Sequence, residues 1–186
     1  MRRRKEGVML RWYVLFVKTG YEENVANQIS KVWQIDGLNP FVPKYDARFK
    51  KGGVVFPERK LFAPGYVFVE SEIHGKEFYS LTRAFVVESQ YIIKVLKYGN
   101  AYHDLTFEMA LSERDLLEKL LNEERVVEMS QGFIQGKSIV VTSGPLVGLE
   151  KHIIKPMRHK RQAVLSLEVM GVTKTTQVGL EIIDKF

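Results

Sequence analysis

A basic segment near the C-terminus carries the residues best suited to bind an anionic partner. It holds five fixed cations and two histidines without one acid: Lys151, His152, Lys155, Arg158, His159, Lys160 and Arg161. The surrounding pattern predicts that 158–161 form a hairpin tip, where like charges repel and add nothing to folding. Arginine can fork onto phosphates or stack on bases. The segment therefore predicts a nucleic-acid-binding tip, with a solvated turn or an acidic protein partner as alternatives.

The remaining polar residues show no catalytic spacing. The four histidines are His74, His103, His152 and His159. They form no metal-ligand set such as H-E-x-x-H, and the chain has no cysteine. His103-Asp104 has no placed nucleophile, and Gly144-Pro145-Leu146-Val147-Gly148 lacks the lysine of a P-loop. We therefore expect no enzyme, no cofactor and no metal ion.

Composition narrows the class of protein. The chain has 186 residues, 45% of them hydrophobic, which is enough for one or two domains with their own cores. No apolar run approaches the ~20 residues that cross a bilayer, so we expect no membrane partner. The lack of cysteine is compatible with a reducing cytoplasm, where we expect a monomer. Arg2-Arg3-Arg4-Lys5 is interpreted as a disordered basic tail.

The formal net charge of +6 is unevenly distributed. Residues 125–186 hold nine Lys and Arg residues against five acids, whereas residues 7–124 are close to neutral. A modest basic excess often serves only solubility. Its position in the C-terminal third favours nucleic acid as a partner only slightly.

Apolar patterns place the elements of the first half. Residues 11–17 are apolar on both alternating faces, which predicts a strand covered on both sides. Thr19-Gly20-Tyr21-Glu22 fits a capping box that opens a helix. The apolar positions of that helix are Val25, Ala26, Ile29, Val32 and Trp33.

The rest of the chain predicts an α+β fold. Lys50-Lys51-Gly52-Gly53 indicates a hairpin turn, because glycine takes the positive φ that such turns need. Strands are expected at 41–45, 54–56, 66–70 and 92–96, and helices near 78–85 and 112–121. After a linker at 125–132, short segments punctuated by Gly and Pro are typical of a small all-β barrel.

Four segments, in this order, resemble the NusG family. They are Arg11-Trp12-Tyr13-Val14, Thr19-Gly20-Tyr21-Glu22, Glu58-Arg59-Lys60 leading into Pro64-Gly65-Tyr66-Val67, and Phe133 through Gly144-Pro145-Leu146. The last resembles the opening of a KOW domain, where a strand meets a Gly-Pro turn. The resemblance covers nearly the whole chain after residue 10.

The resemblance implies two domains with different partners. Residues 9–124 would form an NGN domain, an antiparallel sheet flanked by helices, that docks on the clamp helices of RNA polymerase. Residues 133–186 would form a five-stranded SH3-like KOW barrel that recruits RNA or proteins. The residues matching the polymerase-facing region are Tyr13, Phe41, Phe62, Pro64 and Tyr66. Those assigned to the core are Trp12, Phe16, Trp33 and Phe68.

The family also implies a role for the basic hairpin. In some members of the family a hairpin at this place contacts DNA, and the corresponding partner of this chain would be the non-template strand. A hairpin that is simply solvated is an equally good interpretation. The cations that would make this contact are Arg48, Lys50, Lys51, Arg59 and Lys60.

Two departures from the family pattern point to a specialised paralog. Ala63 separates Phe62 from the Pro-Gly-Tyr motif, where an aromatic residue is usual, and Lys151 stands where the KOW pattern has glycine. The compact basic KOW domain resembles the LoaP group of antiterminators, whose KOW domain binds RNA. We therefore expect an elongation and antitermination factor that binds structured nascent RNA. The rivals are a general NusG factor whose KOW domain binds only proteins, and a ribosome-associated KOW protein.

Overall fold

The structure is a computed structural model that describes residues 10–99 and 106–183. The tail Arg2-Arg3-Arg4-Lys5 and the dipeptide His103-Asp104 lie outside the described residues, as do the side chains of Lys50 and Lys51. Within the described ranges, no helix is long and apolar enough to cross a bilayer.

Three α-helices and twelve β-strands organise the described residues. The helices are α1 (Glu22–Lys31), α2 (Gly75–Glu88) and α3 (Leu111–Leu120). The strands are β1 (Arg11–Val17), β2 (Asn39–Phe41), β3 (Lys44–Lys51), β4 (Val54–Leu61), β5 (Tyr66–Ser71), β6 (Ile92–Val95), β7 (Val126–Val127), β8 (Ser130–Gln135), β9 (Ser138–Ser143), β10 (Ile153–Met157), β11 (Gln162–Val169) and β12 (Val172–Ile182). One compact unit comprises Met1–Val42 and Pro64–Leu111, and the second comprises Pro43–Ala63 and Ser112–Phe186.

The first unit is built on a four-stranded antiparallel sheet in the order β2-β5-β1-β6. Strand β1 lies between β5 and β6, and five of its seven residues are buried. A strand buried on both faces needs no apolar–polar alternation, which is the pattern that residues 11–17 show. The predicted strand at 11–17 is confirmed.

Helix α1 begins three residues after the predicted capping threonine. The N-cap residue is Tyr21, and no side-chain hydrogen bond caps the helix there. The prediction that the Thr19 hydroxyl caps this helix is therefore wrong. Val25 and Ile29, one turn apart, are buried as predicted. The helix ends at Lys31, which leaves Val32 63% exposed, whereas Trp33 beyond the helix is buried and stacks on Phe85 at 5.0 Å between ring centroids.

The second unit contains a curled five-stranded sheet in the order β10-β11-β12-β8-β9, consistent with an SH3-like KOW barrel. All its pairings are antiparallel except that of β12 with β8. Alternate residues of β11 fill its core, and these are Ala163, Leu165, Leu167 and Val169. The predicted α+β class with a C-terminal barrel is confirmed.

Helix α3 and the β3–β4 hairpin belong to this second unit. The Glu113 carboxylate accepts the main-chain amides of Met170 at 2.7 Å and Gly171 at 2.9 Å, in the turn between β11 and β12. Strand β7 pairs in parallel with β3. Because β7 and the start of β8 lie within 125–132, the expected linker contains strand structure. The compact units thus differ from the implied domains 9–124 and 133–186, which stay a prediction.

Phe78 of α2 offers a test of the first unit's core. Its ring is fully buried and stacks on Tyr13 with centroids 3.8 Å apart and planes 6° from parallel. We expect Phe78→Ala to lower the free energy of unfolding by about 3–5 kcal/mol, because the cavity cannot fully collapse. Leu81→Ala on the same helix, at a side chain 44% exposed, is the control and should cost far less. Equal losses in urea titrations of the two variants would contradict this packing.

Candidate nucleic-acid interface and docking surface

The basic tip is the turn between β10 and β11. Arg158–Lys160 form a 3₁₀ turn, and Arg161 closes it with a φ of 50°. The Arg161 amide donates to the carbonyl of Arg158 at 3.0 Å. A left-handed backbone at a non-glycine residue carries strain, so the surrounding structure must hold it. The predicted hairpin tip at 158–161 is confirmed.

The tip carries charge that the described residues do not neutralise. Arg158, His159 and Lys160 are exposed. Across residues 10–99 and 106–183, neither Arg158 nor Lys160 forms an ion pair with a carboxylate. Arg161 differs, because its Nε lies 3.3 Å from Oε1 of Glu181 and its side chain is 35% exposed. The tip therefore combines two unpaired cations with one paired cation.

The seven predicted basic residues do not form a single cluster. Lys151 and His152 lie in a separate 3₁₀ turn, Glu150–His152, at the opposite end of β10. Five strand residues place the two turns about 17 Å apart, with Lys155 exposed between them. His152 Nδ1 lies 3.3 Å from the carbonyl of Ser166. No group of three or more His, Asp or Glu residues that could hold a metal ion occurs in the described part of the chain.

The surroundings of Lys151 are of mixed charge. A groove of about 520 Å³ is lined by Lys151 and His152 together with Glu113 and Glu168. Acidic side chains on the groove wall repel phosphate. The candidate nucleic-acid interface is therefore the tip rather than the whole segment.

The cations of the β3–β4 hairpin are largely paired with acids. Arg59 lies 3.1 Å from Asp46 and 3.0 Å from Glu124, and the hydrogen bond with Asp46, followed by that with Glu124, raises the pKa of the guanidinium. The ammonium of Lys60 lies 3.2 Å from Glu58.

Arg48 is the third paired cation of the hairpin and lies 2.5 Å from Glu181. Lys50 and Lys51 lie at the distal end of β3, and their side chains are outside what the structure describes. Of the five cations predicted to contact DNA, the three with described side chains are thus engaged within their own unit. Phe49 and Phe56, an exposed cross-strand pair of this hairpin, were not singled out by the sequence.

The predicted docking residues separate into buried and accessible groups. Tyr13 is fully buried, its hydroxyl donates to the carbonyl of Ile73, and burial raises its pKa. Phe62 is 2% exposed and lies in the second unit. These two positions correct the expectation that all five rings are available to a partner: a ring without exposed surface cannot anchor one.

The accessible docking residues are Phe41, Pro64 and Tyr66. Pro64 is exposed, and the other two are half-buried. Phe41 packs against Trp12 and Phe68, with ring centroids 5.0 and 5.4 Å away. The core assignments of Trp12, Trp33 and Phe68 are confirmed. Phe16 is only half-buried and lies 5.5 Å from Tyr66 across the β1–β5 pair, so it borders this surface.

A buried glutamate holds the turn that presents Pro64 and Tyr66. Glu22 is 2% exposed, and its two carboxylate oxygens accept the amides of Gly20 at 2.8 Å and Gly65 at 2.6 Å. Gly65 has a φ of 85°, which only glycine adopts without strain. Local sequence patterns could reveal the bond to Gly20 but not the bond to a residue 43 positions away.

Glu22→Ala should loosen this turn. Removing the carboxylate leaves the buried amide of Gly65 and the part-buried amide of Gly20 without their acceptor, at a cost of about 1–3 kcal/mol in unfolding free energy. Hydrogen exchange of the Gly65 amide should accelerate more than that of amides in β1. Glu23→Ala, at an exposed position of the same helical turn, is the control. Unchanged exchange at Gly65 would show that the carboxylate does not hold the turn.

Comparison with known proteins identifies the family. The family model described as "Transcription termination factor nusG" matches residues 10–105, just over half of the chain. The solved structure titled "Domain interaction in Thermotoga maritima NusG" shares 20% identity, covers 93% of this chain and 94% of that chain, and gives a TM-score of 0.52. At this identity the likeness concerns the fold alone. No curated protein sequence matches the chain. From the family match, and in agreement with the fold, the chain belongs to the NusG family of transcription factors.

Proposed function

We propose that this NusG-family protein is an antiterminating elongation factor that binds RNA polymerase and a nascent RNA hairpin at the same time. Proteins of this family interact with RNA polymerase. The polymerase contact would use the first unit, and the RNA contact would use the basic tip. The observation that carries the RNA assignment is the exposed, unpaired charge of Arg158 and Lys160 in a hairpin turn.

The chemistry of the tip favours a phosphate backbone. Cations at successive positions of a tight turn repel each other, and a polyanion relieves that repulsion while releasing counterions. Arg158 can engage two phosphate oxygens with its planar guanidinium. A folded RNA presents closely spaced phosphates to a protruding hairpin. The tip is therefore the proposed RNA contact, and the other end of β10, with its acidic groove, has a smaller part in it.

The accessible apolar residues of the first unit suit a helical partner. Phe41 and Tyr66 are held on neighbouring strands and keep part of their rings exposed, and Pro64 adds a rigid apolar edge. Partly buried aromatic rings on a rigid sheet lose little freedom on binding, which is the character of an interface anchor. We assign the clamp helices of RNA polymerase to this surface.

Two contacts in one chain reinforce each other. Once the first unit is bound to polymerase, the tip samples a small volume near the transcript, which raises its effective concentration there. Each interaction can then be weak alone and still persist on the transcribing complex. The expected consequence is suppressed pausing and termination downstream of the RNA hairpin.

A second candidate function is a general elongation factor whose barrel binds proteins. Val147 and Ile154 of the barrel are 53% and 57% exposed, and exposed apolar side chains favour a protein contact. The same protein would then bind RNA weakly and without preference. Direct DNA contact by Arg59 and Lys60 has less support, since Arg59 lies between two acids and Lys60 lies beside a third.

The tip assignment predicts the behaviour of a double variant of the full chain. Arg158→Ala/Lys160→Ala should weaken binding to RNA hairpins and make the slope of log K against log salt shallower by about 1.4, at roughly 0.7 per lost phosphate contact. Lys31→Ala/Lys137→Ala removes the same charge at exposed positions elsewhere and should leave the slope unchanged. If both double variants bind alike, the RNA assignment fails and the protein-binding barrel is favoured.

The docking assignment predicts the effect of Tyr66→Ala on polymerase binding. Loss of a central aromatic anchor should weaken binding to an isolated clamp-helix fragment by about 2 kcal/mol or more. Tyr79→Ala, at a ring 37% exposed on α2, is the matched control and should bind like the wild type. Calorimetric titration of the clamp-helix fragment into each variant measures the two affinities. Equal affinities would show that the polymerase contact lies on another surface.

A further inference from the structure

Glu181 joins two arginines that come from distant parts of the chain. Its Oε1 lies 3.3 Å from Nε of Arg161 at the tip, and its Oε2 lies 2.5 Å from Nη1 of Arg48 on β3. All three side chains belong to the second unit. One carboxylate therefore links the basic tip with a cation of the β3–β4 hairpin.

The main chain holds these three residues side by side. The amide of Leu180 donates to the carbonyl of Arg161 at 3.0 Å, which fixes the tip next to Glu181. Strand β3 approaches β12 closely at Gly179, where a Cβ atom would come within 2.4 Å of the carbonyl oxygen of Asp46. The hydroxyl of Tyr45 adds a hydrogen bond to Gln177 at 3.4 Å. Arg48 is thus positioned beside the tip by backbone contacts and not by the ion pair alone.

The charges at this place do not cancel. One carboxylate faces two guanidinium groups, and Arg158 and Lys160 add two unpaired cations on the same turn. The side chains of Arg48, Arg161 and Glu181 are 40%, 35% and 21% exposed. Ion pairs with this much solvent access are weak, so a phosphate group can replace the carboxylate as the partner of an arginine.

We propose that Arg48 and the tip form one RNA-binding surface, and that Glu181 limits its affinity by competing with phosphate for Arg48 and Arg161. The inference rests on the proposed binding of RNA by the tip. It assigns Arg48 to RNA rather than to DNA. Binding of RNA displaces the Glu181 carboxylate from at least one arginine, so an ion pair within the protein is exchanged for one with phosphate. The gain in binding free energy is therefore smaller than it would be if all four cations were unpaired.

Neutralising Glu181 in the full chain tests this competition. Glu181→Gln keeps the shape of the side chain and an oxygen acceptor but removes the charge. The variant should bind a short RNA hairpin more tightly than the wild type. Its slope of log K against log salt should be steeper by about 0.7. Lowering the salt concentration about fourfold should therefore raise the ratio of the two affinities by a further factor of about three. Glu88→Gln makes the same charge change at an exposed residue of the first unit, and should show neither effect.

A double-mutant comparison tests whether the gain in RNA affinity from Glu181→Gln depends on Arg48. Arg48→Ala should weaken RNA binding little in the wild-type background, where Glu181 holds Arg48, and should remove a large part of the gain in the Glu181→Gln background. Thermal unfolding of each variant excludes a loss of fold as the cause. A gain independent of Arg48 would overturn the shared surface.

The outcomes separate this inference from the proposed function. If Arg158→Ala/Lys160→Ala lowers RNA binding while Glu181→Gln and Glu88→Gln behave alike, the tip binds RNA and the competition is wrong. If the tip variant has no effect, both proposals fail. A gain seen on duplex DNA and absent on the RNA hairpin would assign Arg48 to DNA and also overturn the inference.

Discussion

A buried main-chain amide without an acceptor costs about as much as a lost hydrogen bond, and both units satisfy this constraint with a glutamate. Glu22 accepts two amides in the first unit, and Glu113 accepts two amides of the β11–β12 turn in the second. Each carboxylate connects a helix start to a turn far along the chain. The turn with Pro64 and the far end of β11 are therefore anchored through charge-assisted hydrogen bonds, which are stronger than neutral ones. The candidate docking surface beside Pro64 depends on the bond from Glu22 for its shape.

In the second unit, Arg48, Arg59 and Lys60 of the hairpin each lie beside an acid, whereas Arg158 and Lys160 of the tip do not do so among the described residues. Arg59 lies between Asp46 and Glu124, and Lys60 lies beside Glu58. Such exposed pairs add little stability, but they remove the positive potential that would attract a polyanion to the hairpin. Arg158 and Lys160 have no such neighbouring acid among the described residues. Charge placement, more than net charge, thus favours the tip as the place for nucleic acid.

Sequence patterns predicted what depends on neighbours along the chain. Burial of β1 on both faces, the Gly52-Gly53 turn and the basic hairpin tip follow from local spacing, and the structure has all three. They did not predict contacts across long separations. The bond from Glu22 to Gly65 spans 43 residues, and the pair Arg48–Glu181 spans 133. Tyr13 shows the same limit: the apolar run at 11–17 indicates a buried strand, but its stack on Phe78 joins residues 65 positions apart, which no local pattern shows.

Under the proposed function, the choice between RNA and protein as the partner of the barrel depends on charge rather than on backbone geometry. Lys151 replaces the glycine of the KOW pattern, yet it is not among the described residues with a positive φ, so lysine fits there without strain. Its turn lies at the far end of β10 from the tip, and the substitution therefore alters the tip little. Around the tip, Glu181 faces Arg161 and Arg48, and Arg158 and Lys160 add two further cations, which leaves an excess of positive charge. An acid in place of Arg158 or Lys160 would leave three cations against two acids and so remove most of this excess. The same barrel would then offer a partner mainly its exposed apolar residues, Val147 and Ile154, and a protein would be the better ligand.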